Sequence, residues 1–107
     1  MGALAEMRHR LTIETRDVAS DGAGGEIATW VEGATVWGQV TPLSGVEFLR
    51  QDRLSSTLTH RIRLRFRNDV TAAMRLRLGP RIFEILSVRD VNERHRWLEC
   101  LCEEKYQ

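Results

Sequence analysis

His60-Arg-Ile-Arg-Leu-Arg-Phe-Arg-Asn68 alternates charge and apolar bulk without a break, with arginines at 61, 63, 65 and 67 and Ile62, Leu64 and Phe66 between them. Successive side chains of a β-strand turn to opposite faces, so a period of two predicts a strand with one apolar face and one guanidinium face. The apolar side needs a core to cover it. For the arginine side the residues alone leave three readings open. It could be a solvated outer face, a track of phosphate contacts about 6.7 Å apart, or a contact with an acidic partner such as a neighbouring copy.

Reading outward from this strand, the chain stays extended almost everywhere. Leu11-Thr-Ile-Glu-Thr-Arg16 alternates, and Asp21-Gly-Ala-Gly-Gly25 supplies a turn. Residues 27–43 form a long extended stretch rich in Val, Thr and Trp, with Gly33 and Gly38 as expected bends or bulges. Residues 74–78, the Gly79-Pro80 turn and residues 81–88 read as a hairpin, and 96–104 as a last strand after a polar turn at 90–94. One segment breaks the rhythm. Ser44-Gly-Val-Glu47 has the form of a capping box, and Val46 and Leu49 are spaced for a short helix around 45–54. The expected architecture is all-β: one domain over 1–107, a small antiparallel β-barrel of about five to six strands, with a long helix-containing loop insertion over 43–58.

Charge is distributed unevenly behind a net +1. Residues 1–49 hold three arginines and seven acids (−4), residues 50–96 twelve arginines and five acids (+7), and residues 97–107 one lysine and three glutamates (−2). Such a surface can meet polyanions or stack against copies of itself. The apolar runs are far short of a membrane span, so no membrane partner is expected. Cys100 and Cys102, the only cysteines, suit a reducing compartment and, on one strand, point the same way.

Nothing in the sequence assembles a catalytic set. Cys100-Leu-Cys102 near His95 invites a zinc reading, but C-x-C without a second ligand pair is more simply two small apolar side chains facing a core. His9 and His60, beside arginines, read as exposed strand ends. There is no nucleophile elbow, phosphate loop or paired-histidine metal motif. The expectation is no enzyme, no metal and no cofactor. Trp30 and Trp37 are seven apart and would face opposite sides of an uninterrupted strand, unless a bend at Gly33 resets the phase. Both are read as core or subunit-interface residues, with base stacking as the alternative.

Taken in order, Arg8-His-Arg-Leu-Thr-Ile13, Gly24-Gly-Glu26, Trp30, Ala34-Thr-Val-Trp-Gly-Gln-Val-Thr-Pro-Leu-Ser-Gly-Val-Glu47, the arginine strand, Met74-Arg-Leu76, Arg81-Ile-Phe-Glu-Ile-Leu-Ser-Val88 and Trp97-Leu-Glu-Cys-Leu-Cys-Glu-Glu104 resemble the phage head–tail joining family. These are the head completion or stopper proteins of long-tailed phages and phage-like gene transfer agents. Thr71-Ala-Ala73 departs from the proline-containing turn common there. The resemblance implies a six- or twelve-fold homo-oligomeric ring at the neck of the virion or particle, made in the bacterial cytoplasm. A portal or adaptor protein lies above it, a tail terminator or tail-tube protein below, and packaged double-stranded DNA in the lumen. It further implies that the 43–58 insertion reaches into that lumen, making Ser44, Glu47, Phe48, Arg50 and Arg53 its DNA- or lumen-facing residues. Arg61, Arg63, Arg65 and Arg67, with Trp30 and Trp37, become oligomer or partner contacts. Two other functions stay open: an adaptor or tail terminator at a neighbouring level of the same joint, and an autonomous nucleic-acid-binding β-barrel.

Overall fold

The computed structural model describes residues 7–43 and 58–105. Six antiparallel strands dominate them: β1 (His9–Ser20), β2 (Glu26–Pro42), β3 (His60–Arg65), β4 (Met74–Leu78), β5 (Arg81–Asp90) and β6 (Trp97–Lys105), with a 3₁₀ turn at Val91–Glu93 before β6. Pairing runs β1-β2-β3-β6-β5-β4 and returns from β4 to β1, so the sheet closes in a ring. The helix-bearing insertion expected over 43–58 falls on residues 44–57, outside the described residues. Its two ends are tied together, since the Leu43 N–H donates to the Thr59 carbonyl at 3.0 Å.

The apolar side of the arginine strand faces inward as its alternation predicts. Ile62 and Leu64 join Leu11 and Ile13 of β1, Leu76 of β4, Phe83 and Ile85 of β5, and Leu98, Cys100 and Cys102 of β6 in one core. Phe83 is the largest fully buried side chain, and burying such a ring stabilises by roughly 1.5–3 kcal/mol. β3 is shorter than its pattern, ending at Arg65. Past that point the Phe66 N–H still donates to the Arg96 carbonyl at 2.9 Å, but Arg67 turns to hold Asp69 at 2.9 and 3.0 Å.

Two bulges set which side chains face in. Thr12 pairs with Thr35 and Glu14 with Glu32, so β2 spends three steps where β1 spends two. Gly33 lies in the extra stretch, and a Cβ there would sit 3.3 Å from the Ile13 carbonyl. The bend expected at this glycine therefore occurs, and it brings Trp30 and Trp37 onto the same outer face. On β5, Ile85 pairs with Cys102 but Ser87 with Leu101. The one-residue surplus at Leu86 keeps Phe83, Ile85 and Val88 all turned toward the core.

Gly38 has a different job from the bend its sequence suggested. It stays in register between His9 and Leu64. A Cβ on it would lie 2.5 Å from Leu11 Cδ1 and 2.9 Å from Leu64 Cδ2, so this inward position must be empty for two core leucines to meet.

β1 and β2 run well beyond the ring. β4 pairs only with residues 12–15 of β1, and β3 only with residues 38–42 of β2. The remainder is a two-stranded ribbon ending in a turn where Gly22 and Gly24 have φ of +80° and +88°. There the Asp21 carboxylate accepts from the Ala23 and Gly25 N–H groups at 2.7 and 3.0 Å. The described residues extend 53 Å along their longest axis against 29 and 27 Å across, which reflects this projection.

Replacing Gly38 by alanine is expected to destabilise the protein by about 1–3 kcal/mol through overpacking. A lowered urea midpoint with an unchanged m-value is the signature; an unchanged midpoint would show that Leu11 and Leu64 yield without cost.

Candidate functional site

The outer surface of the ring shows what the arginines contact within the chain. Glu99 of β6 stands opposite Arg63 of β3 on one side and Arg89 of β5 on the other. Its carboxylate is nearly buried and gathers Arg61 Nε at 3.7 Å, Arg63 Nη2 at 3.6 Å and Arg89 Nη2 at 2.9 Å. Arg65, opposite Trp97, lies over that indole ring at 5.4 Å and makes no ion pair among the described residues. Thus Arg61 and Arg63 work first as cross-strand ties between β3 and β6, while Arg65 faces outward.

A second node repeats this on the far side. Buried Glu14 of β1 accepts from Arg75 Nε at 2.6 Å and faces Arg77 Nε at 3.4 Å, and Arg77 also pairs with Glu32. Trp30 stacks on the Arg75 guanidinium at 4.2 Å, roofing the pair. Trp30 is consequently half-buried on the outside and Trp37 is 55% exposed. Neither is a core residue, because the shared face produced by the Gly33 bulge points away from the ring.

At the end of the ring near the insertion, His60 is buried, not the exposed strand end its arginine neighbour suggested. It is the first inward residue of the 60, 62, 64 alternation. Its ring meets Phe83 edge-on at 5.0 Å, and Nδ1 is 2.9 Å from Thr59 Oγ1. Nε2 is 3.5 Å from Arg81 Nη2, a guanidinium that can only donate, so the neutral tautomer with the proton on Nδ1 satisfies both contacts. Arg81 in turn holds Glu104 with two hydrogen bonds at 2.8 and 3.0 Å. Burial keeps His60 below the ordinary histidine range despite the field of Glu104, and the Arg81 hydrogen bond keeps Glu104 below the ordinary carboxylate range.

Cys100 and Cys102 are free and buried. Burial pushes the Cys100 thiol up to about 12 and raises Cys102 as well, which disfavours the thiolate that metal binding or nucleophilic attack requires. His95 stands instead on the exposed turn, stacked on Phe66 at 4.6 Å.

The most distinctive surface lies where β2 parts from β3. Val36, Trp37, Phe66 and Trp97, flanked by Arg65 and Arg67, line an open cleft of about 570 Å³. Trp37 carries Arg10 over its ring at 5.5 Å. Beside the cleft, the 92–95 turn holds Asn92, Glu93 and His95 at φ of 57°, 53° and 56°. It is fastened by the Asp90 carboxylate, which accepts the His95 N–H at 3.0 and 3.1 Å. Of the residues singled out in the sequence, Ser44, Glu47, Phe48, Arg50 and Arg53 lie outside the described residues. The structure brings Arg65, Arg67 and Trp37 to this cleft and leaves Arg61, Arg63 and Trp30 away from it. The ribbon and cleft were not anticipated. The β-branched residues flanking the 21–25 turn were the available signal for the ribbon.

The described residues thus form an all-β ring sheet, laced outside by ion pairs and carrying an exposed ribbon. The sequence matches the family model of the phage head completion protein over residues 3–105, and the chain belongs to that family. No curated protein matches it. Among solved structures it is similar to protein SF1141 from Shigella flexneri 2a, with 29% identity, 99% of each chain covered and a TM-score of 0.78. It is also similar to a chain of the virion of a native gene transfer agent particle, with 25% identity, coverage of 94% of this chain and 96% of that one, and a TM-score of 0.67. The family read from the ordered motifs is thus the one found, and it places the chain among structural virion proteins of phages and gene transfer agents.

Two measurements follow. Because folding lowers the His60 pKa, the unfolded chain takes up that proton first. Stability is therefore full above about pH 6.5 and falls as pH drops below it. Glu104, lowered by folding, contributes stability present above its unfolded value and lost at lower pH still. Thermal melts on acidification should show both stages, and His60→Gln should remove the first only. Separately, Glu99→Gln is expected to cost about 1–3 kcal/mol by leaving three guanidinium groups without their shared anion; high salt should narrow that difference.

Proposed function

We propose that this chain is the stopper-level subunit of the head–tail joint, a small barrel that assembles as a six- or twelve-fold ring beneath the portal and its adaptor. The observation that carries this reading is the near full-length agreement with the head completion family, together with a fold shared with a gene-transfer-agent virion chain. In this reading the ring retains packaged DNA after filling and presents the attachment surface for the tail. The 43–58 insertion serves as the gate, with Ser44, Glu47 and Phe48 at the lumen and Arg50 and Arg53 nearest the DNA phosphates. The described ends of that insertion support the assignment. Leu43 and Thr59 are hydrogen-bonded, and Leu58 is 1% exposed, so the segment leaves the sheet from a fixed base. A gate that changes conformation needs such a base, since the ring must not open when the loop moves.

The ion pairs on the outer face fit a subunit whose rigidity comes from its own strands. Arg61 and Arg63 are drawn to Glu99 and Arg67 holds Asp69, which leaves Arg65 as the member of the arginine strand suited to a neighbouring copy. Trp37, exposed beside it, fits the same contact. Trp30, stacked on Arg75, serves that role through the ribbon it supports.

Deleting the gene should yield filled heads that lose DNA and fail to join tails, with cryomicroscopy of wild-type particles showing the chain as a cyclic ring at the neck. Infectious or transducing particles of normal yield without this chain would sink the proposal. Arg50→Glu with Arg53→Glu should increase DNA leakage from assembled particles, while Arg65→Glu should reduce assembly more than retention.

A further inference from the structure

The ribbon and the cleft are complementary in chemistry yet belong to one chain. Over residues 16–32 the ribbon carries Asp17, Asp21, Glu26 and Glu32 against a single cation, Arg16. Asp17 and Glu26 make no ion pair among the described residues. Around them Ile27 is 53%, Val31 52% and Val18 42% exposed, an apolar content unusual for a solvated two-stranded projection. Registers 15↔31, 17↔29 and 19↔27 set Asp17, Ile27 and Val31 on one face. The cleft offers the converse: Trp37, Trp97 and Phe66 as an apolar floor, with Arg65 on its rim and no ion pair for it among the described residues. At about 3.3 Å per residue the ribbon tip stands roughly 35 Å from Trp37 at its base, so one chain cannot bring its own tip back into its own cleft.

We infer that the ribbon of one copy docks in the Trp37–Trp97–Phe66 cleft of the next, Ile27 and Val31 against the indoles and Asp17, on the same face, toward Arg65. Two distinct, complementary surfaces on one chain make a heterologous contact, the kind that closes into a cyclic ring when the rotation per subunit divides a full turn. The free edge of β2 over residues 26–37, bordered only by β1 among the described residues, runs directly into the cleft. It adds a backbone ladder that an incoming strand can extend. This contact rests on the ring reading above and specifies the surfaces that build the ring.

The test uses the full chain expressed in particle-producing cells. Asp17→Arg forms one variant, and Arg65→Glu the other. Each alone should lower particle yield about tenfold or more, since reversed charges oppose the contact. Co-expressed, they should restore yield, because every ribbon then meets a cleft of opposite charge in an alternating ring. A second measurement does not depend on charge. Ile27→Cys with Arg67→Cys, oxidised in purified particles, should give a ladder of covalent multimers of this chain; the native cysteines are buried and stay out of that chemistry. Failure of co-expression to restore yield, with monomer alone after oxidation, overturns the contact, as does cross-linking of Ile27→Cys to another virion protein. Imaging of wild-type necks separates the two levels of the claim. A ring present while both assays fail rejects the ribbon contact alone. A neck lacking this chain rejects the ring reading and the contact together.

Discussion

Four residue pairs, residues 12–15 against 74–77, close the sheet. Without them β1 and β4 would be two edges, each offering unpaired backbone to any passing strand. The seam is short, and its strength comes from both faces. Ile13 meets Leu76 on the inside, where both join the core, and Glu14 meets Arg75 on the outside under the roof of Trp30. A buried carboxylate is tolerable only when its counterions arrive with good geometry, and here the register of closure delivers them. Closure in turn fixes where β1 stops belonging to the ring and becomes ribbon.

The same logic governs the rest of the outer face. Each nearly buried acid sits where register places arginines from neighbouring strands: Glu99 between β3 and β5, Glu14 against β4. An arginine-rich stretch that looked like a hand for phosphate is half committed to holding the sheet. What is left outward, Arg65 with Trp97 and Trp37, is a compact patch of mixed apolar and cationic character. Charge count alone could not make that division, since it depends on which arginines stand opposite an acid.

The fold was largely legible because period-two patterning and turn residues are local. The alternation at 60–65, the Gly79-Pro80 hairpin and the Asp21–Gly25 turn all form as their residue types require. Non-local facts were not legible. Nothing near Arg63 in sequence announces Glu99, and nothing near His60 announces Phe83, which buries it. Alternation states which side chains share a face but not whether another strand covers that face, so the ribbon could not be told from a ring strand. Gly33 and Gly38 show the limit closely: both read as bends or bulges, and Gly33 does accommodate a bulge, but Gly38 clears space for Leu11 and Leu64 instead. The ordered set of weak motifs did identify the family, because order over a whole chain carries information that no single short motif holds.

The hydrogen bond from Leu43 to Thr59 has an evolutionary side. It ties the start of the insertion to the residue just before β3, so the sheet experiences a closed circuit whatever lies between. Lengthening a closed loop raises its entropic cost only slowly, by about 0.6 kcal/mol per doubling. Recombination can therefore exchange this segment for one of another length or charge without asking the ring to refold. A lineage could thus vary the segment between Leu43 and Thr59 while the sheet is inherited unchanged.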